Sequence, residues 1–205
     1  PSVLREVGDY YRLRGRVIPY AVDTNLFRRQ DRSRAREAFG LPQGATIGLF
    51  VGRPEYAKGF DVFLEVARSM RDVTFLVLGQ CSLADPNVRV LEHIPHSQMP
   101  SLYSSSDFFF LPSRYEGFGL STLEAVACEV PIVVSEAAYP FAEDPSHFGY
   151  VAGSLDPAEF VQGIREILQP DTIHTARETA IKGYSIDAFR KRWRELANRL
   201  LEHHA

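Results

Sequence analysis

Two glutamates, Glu116 and Glu124, stand eight positions apart in the stretch PSRYEGFGLSTLEAVACEVPIVVS (112–135), on either side of Gly117, Phe118 and Gly119. A carboxylate can accept from two neighbouring hydroxyls at once, and glycines let backbone come close to a ligand or take a positive φ. Where such a loop runs into a helix, here at Leu120 and Ser121, successive N–H groups can cradle an anion. A second stretch, FVGRPEYAKGFDVFLEVA (50–67), puts Arg53 and Lys58 five positions apart, after Gly52 and beside the start of a helix. Two cations next to a helix N-terminus suit a diphosphate, because the helix end adds free N–H groups and partial positive charge to the full charges of the side chains.

Each signal has a plainer reading. Arg53 and Lys58 fit solvated loop charges equally well, as does Glu116. Ser121 with Glu124 three residues later spells a capping box, and on local chemistry that is the stronger reading for Glu124. The Gly-Phe-Gly turn lacks both the GxGxxG pattern of dinucleotide folds and the GKS/T ending of a P-loop.

The elements that would position these residues follow from hydrophobic patterning. Short apolar runs recur at RVIPY (16–20), TIGLFVGR (46–53), VTFLVLGQ (73–80), VRVLEHI (88–94), DFFFLPS (107–113) and PIVVSE (131–136). They are apolar nearly throughout, which predicts buried strands. Between them, Phe60, Phe63, Leu64 and Ala67 share one helical face, and Phe160, Val161, Ile164, Ile167 and Leu168 share another. The second helix has a start signal in Asp156 as N-cap, Pro157 at the first position and Glu159 at the third. Alternating strands and helices predict an α/β chain with a doubly wound, Rossmann-like parallel sheet, whose ligands sit beyond the carboxyl ends of the strands. The tail, with Ile186, Phe189, Trp193, Leu196 and Leu200 at three and four spacing, predicts a long C-terminal amphipathic helix capped by Ser185, its middle packed on its own domain.

With 205 residues the chain can bury one core, or two small ones; 45% hydrophobic and 24% charged residues exclude a disordered chain. A formal charge of −3 gives no basis for general nucleic-acid binding. Cys81 and Cys128 lack metal or disulfide spacing, and no Asp-x-Asp pair or His cluster suggests a metal, so the expectation is a cytoplasmic protein without a metal cofactor. No run approaches the length of a membrane-spanning helix. The chain opens on Pro1, which points to a piece of a longer protein, and LLEHHA reads as a helix end or a tag remnant, so His203 and His204 carry no argument.

Four separated stretches together bear a resemblance: Gly52-Arg53 with Lys58-Gly59, PSRYEGFGLSTLEA, VIPYAVDTNLF, and YSIDAFRKRW. In this order they resemble the C-terminal, donor-binding half of retaining glycosyltransferases of the GT-B fold, family 4. The resemblance implies that residues 1–205 form one Rossmann-like half of a GT-B fold, the N-terminal acceptor domain lying outside the chain. It implies that Arg53 and Lys58 bind the diphosphate of a nucleotide-sugar donor and, with Glu116, form the catalytic set. Glu116 would hold a sugar hydroxyl beside the backbone of Phe118 and Gly119, Leu120 and Ser121 would meet the distal phosphate, and Glu124 would accept from the ribose. The implied reaction moves a hexosyl-type sugar to an acceptor hydroxyl of a glycan, lipid or small molecule, without a metal, in the cytoplasm or peripheral to a membrane. The alternative is a non-catalytic nucleotide-sugar binding or scaffolding module, and a more distant one an epimerase or phosphorylase of the same architecture.

Three departures from the family pattern stand out. Tyr20-Ala21 replaces Asn-Gly, Glu129 stands where a helix usually closes on Gly, and EAAYPFAEDP replaces a Gly-Gly loop. In that last segment Tyr139 and Phe141 are expected either to fill space or to meet an unusual partner. The base pocket is expected near His93, Ile94 and His96, with the two histidines as surface loop residues.

Overall fold

The computed structural model describes residues 17–169, 178 and 182–202. Five of the six apolar runs form strands: β1 (Thr46–Val51), β2 (Val73–Leu78), β3 (Val88–Leu91), β4 (Phe108–Leu111) and β5 (Ile132–Ser135). A sixth strand, β6 (Gly149–Ala152), was not expected from the pattern, being only four residues long and opening on glycine. The sheet is parallel, in the order β3-β2-β1-β4-β5-β6. From β1 the chain winds outward to β3 and then crosses back to lay β4 beside β1, Gly48 opposite Phe108. This reversal leaves a crevice beyond the carboxyl ends of β1 and β4.

Side chains along β4 alternate between the two helical layers. Phe110 packs against Phe63 of α2 (Phe60–Ser69) and Phe160 of α5 (Pro157–Ile167), while Phe109 faces Tyr103 of α3 (Met99–Ser104) on the other side. The layer with α3 also holds α1 (Arg32–Ala38) and α4 (Leu120–Ala127). Strands β4 and β5 are buried throughout, whereas the edge strand β3 exposes Arg89, a charge that discourages further pairing. The buried face of α2 is centred on Val62, Phe63, Val66 and Ala67, so Phe60 and Leu64, expected on it, lie at its margins. Asp156 caps α5 by accepting from Ala158 N–H, but Glu159 reaches further back than a capping box would, to the N–H groups of Gly153 and Ser154.

Two expectations are corrected. Residues 17–20 of RVIPY are not a strand, Arg16 lying outside the described residues. The segment instead pairs through a single bridge, Val22 to Ser185, where Val22 N–H donates to Tyr184 O. The C-terminal helix α6 (Ile186–Glu202) forms, and Ser185 accepts from Ala188 N–H as its cap, yet none of its residues is buried and Trp193 is 50% exposed. Its apolar stripe is narrow among Arg190, Lys191, Arg192 and Arg194, and the bridge from Val22 joins the domain at Ser185, just before its first turn. His203 and His204 lie outside the described residues. Among the described residues no helix is long and apolar enough to cross a membrane.

Candidate functional site

The loop after β1 and the loop after β4 meet because of one glycine. Gly59 ends a short 3-10 turn (Tyr56–Lys58) with φ +65°, and a Cβ there would lie 1.9 Å from Pro112 O. Only glycine permits that approach and that φ. The contact is then clamped. Arg114 and Tyr115 N–H both donate to Ala57 O, and the Arg114 guanidinium binds both oxygens of Asp61 (2.6 and 2.7 Å) while covering the Tyr56 ring at 3.8 Å. This bidentate pair holds the Asp61 carboxyl below its usual range.

The clamp delivers Lys58 to Glu116. Lys58 Nζ donates to Glu116 Oε1 at 2.6 Å, and Ser113 Oγ donates to the same oxygen at 2.9 Å. Ser113 is itself buried, its carbonyl accepting from Ser135 Oγ at the end of β5. Glu116 is 8% exposed, so burial would be costly without these donors; with them it is a fixed acceptor whose other oxygen carries none of these bonds. The ammonium of Lys58 has three protons and spends one on Glu116. It is therefore able to hold Glu116 and an anion together.

Gly119 opens α4 with φ +87°, its Cα so close to Ala138 O that a Cβ would lie 2.9 Å away. No side chain caps this helix, so the capping box is overturned. The helix begins two residues too early for Ser121 to be its N-cap, and the Glu124 carboxylate instead accepts from Tyr103 OH at 2.8 Å. Burial raises the Glu124 carboxyl above its ordinary value, against the opposing pull of the Tyr103 hydrogen bond and of nearby His96.

A cleft of about 420 Å³ runs between these elements, lined by Gly52, Lys58, Glu116, Phe118, Leu120 and Ser121, with Gly117, Gly119, Val51 and Tyr20 completing the wall. Seven of the nine residues singled out in the sequence therefore face one space. Arg53 and Glu124 do not line it. Arg53 is 82% exposed and pairs with Glu55 at 3.0 Å, and Glu124 lies deeper along α4. The EAAYPFAEDP segment fills space: Phe141 is buried, stacked on Phe148 at 4.4 Å and edge-on to Tyr184, with Tyr139 OH donating to Glu143 O. His93 and His96 are exposed, His96 lying edge-on to Phe27. Among the described residues no group of three His, Cys, Asp or Glu side chains stands close enough to hold a metal ion.

Sequence reading missed Ser113, Ser135, Tyr103 and the Arg114–Asp61 clamp. Ser135, Tyr103 and the Arg114–Asp61 clamp act across elements, which only the folded arrangement reveals; Ser113, three residues before Glu116, was the one within reach of local spacing.

The family profile described as "Glycosyl transferases group 1" matches residues 45–170, which span β1 to the end of α5 and contain every residue just described except Tyr20, Phe27 and Tyr184. The chain belongs to the glycosyl transferases group 1 family. D-inositol 3-phosphate glycosyltransferase 1 of Catenulispora acidiphila is 31% identical over 207 aligned positions, which cover 88% of this chain and 49% of that protein. The chain spans about half the length, or less, of the curated relatives it matches. Among solved structures, sucrose-phosphate synthase from Thermosynechococcus elongatus superposes with a TM-score of 0.84 at 23% identity, over 97% of this chain and 56% of that one. Anabaena Alr3699/HepE, solved in complex with UDP and glucose, superposes with a TM-score of 0.77 at 18% identity, over 89% of this chain and 56% of that one. These likenesses establish the fold, a Rossmann-like α/β fold shared with GT-B glycosyltransferases.

Proposed function

We propose that the chain is the donor-binding half of a retaining, family 4 glycosyltransferase that moves a hexosyl-type sugar from a nucleoside-diphosphate sugar to an acceptor hydroxyl. The observation that carries this reading is the Lys58–Glu116 pair beside the uncapped N-terminus of α4, in one cleft. The helix end offers N–H donors and partial positive charge to a distal phosphate at Leu120 and Ser121, and Lys58 adds a full charge. Arg53 exchanges Glu55 for the diphosphate. Glu116 takes a sugar hydroxyl on its free oxygen, and Glu124 takes the ribose hydroxyls. The UDP and glucose held by the Anabaena neighbour support this class of ligand.

In this mechanism the bond between the anomeric carbon and the diphosphate oxygen breaks as the acceptor oxygen bonds to the same face of that carbon, the acceptor hydroxyl's proton passing to the departing diphosphate oxygen. The departing diphosphate gains charge, and Arg53, Lys58 and the oriented amides stabilise it; no metal is assigned a part. Glu116 is assigned as a binding acceptor and not a nucleophile, one oxygen held by Lys58 and Ser113 and the other taken by the sugar hydroxyl. The acceptor side belongs to an N-terminal domain outside this chain, and we assign the whole to the cytoplasm. The test is sugar transfer by the full-length protein with panels of nucleotide sugars and acceptors. Turnover that Lys58→Ala abolishes supports the enzyme; donor binding with no turnover and no released nucleotide supports a non-catalytic module.

A further inference from the structure

Glu124 does not stand alone. Tyr103, fully buried at the end of α3, donates its hydroxyl to Glu124 Oε2 at 2.8 Å, and among the described residues no other hydrogen bond reaches that carboxylate. The Tyr103 ring is held on two sides. Phe109 of β4 lies 6.0 Å away, and Phe27, itself buried, packs edge-on at 6.2 Å while its other side meets His96. Phe27 is fixed in turn by its N–H bond to Asp23 O, at the turn in VDTNLF. A line of contacts thus runs from the chain's first described turn, through two immobilised rings, to one oxygen of Glu124.

A buried phenol needs an acceptor, and a backbone carbonyl or an amide would satisfy it without burying charge. A carboxylate in that place is held partly out of water, which stability alone does not favour. The pairing makes sense if the carboxylate is the object being held. A carboxylate has about four acceptor positions. Tyr103 occupies one on Oε2, and fixing it sets the plane in which the remaining positions are offered.

Resting on the donor-site reading above, we infer that Tyr103, backed by Phe27, is a positioning residue that fixes the Glu124 carboxylate for a ribose diol and so makes the site select ribonucleotides over their deoxy counterparts. Tyr103 itself touches no ligand. Its loss should therefore act only through Glu124 and only on ligands that carry the ribose hydroxyls.

The test is calorimetric titration of the 205-residue chain with UDP, GDP and ADP and with the 2′,3′-dideoxy form of whichever binds. Tyr103→Phe should weaken the ribonucleotide by about ten-fold, the size of one charge-assisted hydrogen bond, and leave the dideoxy form unchanged. In a Glu124→Ala background Tyr103→Phe should change neither. Phe27→Leu keeps the hydroxyl but loosens the ring, and should give the same pattern more weakly; it serves if Tyr103→Phe does not fold. An unchanged ratio of ribo to dideoxy affinity in both variants, equal loss for both ligands, or full additivity with Glu124→Ala would each overturn the inference while leaving the donor site standing. No nucleotide binding by the folded unsubstituted chain would overturn the donor-site reading and this inference with it.

Discussion

Lys58 Nζ and Glu116 Oε1 lie 2.6 Å apart although 58 positions separate the residues in the chain. The pair is both a structural tie and the centre of the proposed site, and the two roles separate by mutation. Lys58→Met leaves a mostly buried carboxylate with Ser113 as its remaining donor among these contacts, and should cost about 1–3 kcal/mol of stability along with nucleotide affinity. The double change Lys58→Met/Glu116→Leu removes both charges and should recover most of that stability but none of the affinity. Urea unfolding and calorimetry read the two separately; a double variant as unstable as the single one would contradict this account of the pair.

The two glycines around Phe118 should behave in opposite ways. A Cβ on Gly119 meets Ala138 O at 2.9 Å with φ already positive, so Gly119→Ala should destabilise the chain. A Cβ on Gly117 meets nothing within 4 Å, so Gly117→Ala should leave thermal stability within a degree or so while crowding the cleft and weakening nucleotide-sugar binding. Unchanged binding in a folded Gly117→Ala would show that the ligand does not approach this backbone.

Glu129 closes α4 with φ +58°, and Glu129 and Val130 N–H donate back to Val126 O and Ala125 O in a Schellman arrangement. That conformation costs a non-glycine residue about 1 kcal/mol, and the Arg29 ion pair at 3.7 Å is too exposed to offset it. Glu129→Gly should raise the unfolding free energy by about 1 kcal/mol with no effect on ligand affinity. A fall in stability would mean that Glu129 makes a contact worth more than the strain.

The Glu124 carboxyl is raised by burial, which outweighs the Tyr103 hydrogen bond and the charge of His96. A carboxyl raised on folding contributes stability that is complete below its unfolded pKa and is lost as pH rises through the folded value. At neutral pH the ionised group therefore costs stability. Glu124→Gln should raise Tm at pH 7, with the gain vanishing below the ordinary carboxylate range, while nucleotide affinity falls. A Tm gain that persists unchanged at pH 3 would contradict this origin.

Much of the site was legible because its motifs sit at strand ends and helix starts, where Gly52, Lys58, Glu116, Gly119, Leu120 and Ser121 converge as their positions in a parallel sheet require. The local setting of Glu124 was not. Ser121 and Glu124 fit a local capping pattern, and only the position of Tyr103, 21 residues earlier, shows that the carboxylate is turned elsewhere. The same limit hid β6, whose pairing with β5 compensates for a sequence too short to announce a strand, and misjudged α6, whose hydrophobic spacing predicts a buried face but cannot say what covers it.

The central claim is that the cleft between Lys58, Glu116 and α4 binds a nucleotide sugar. Its most direct test is calorimetric titration of the chain with UDP, GDP and ADP, free and joined to their common sugars, alongside Glu124→Ala. The account predicts that one nucleotide binds in the micromolar to millimolar range, and that Glu124→Ala weakens it by about 1–3 kcal/mol. A folded chain that binds none of them, or binds one with equal strength after Glu124→Ala, would contradict it.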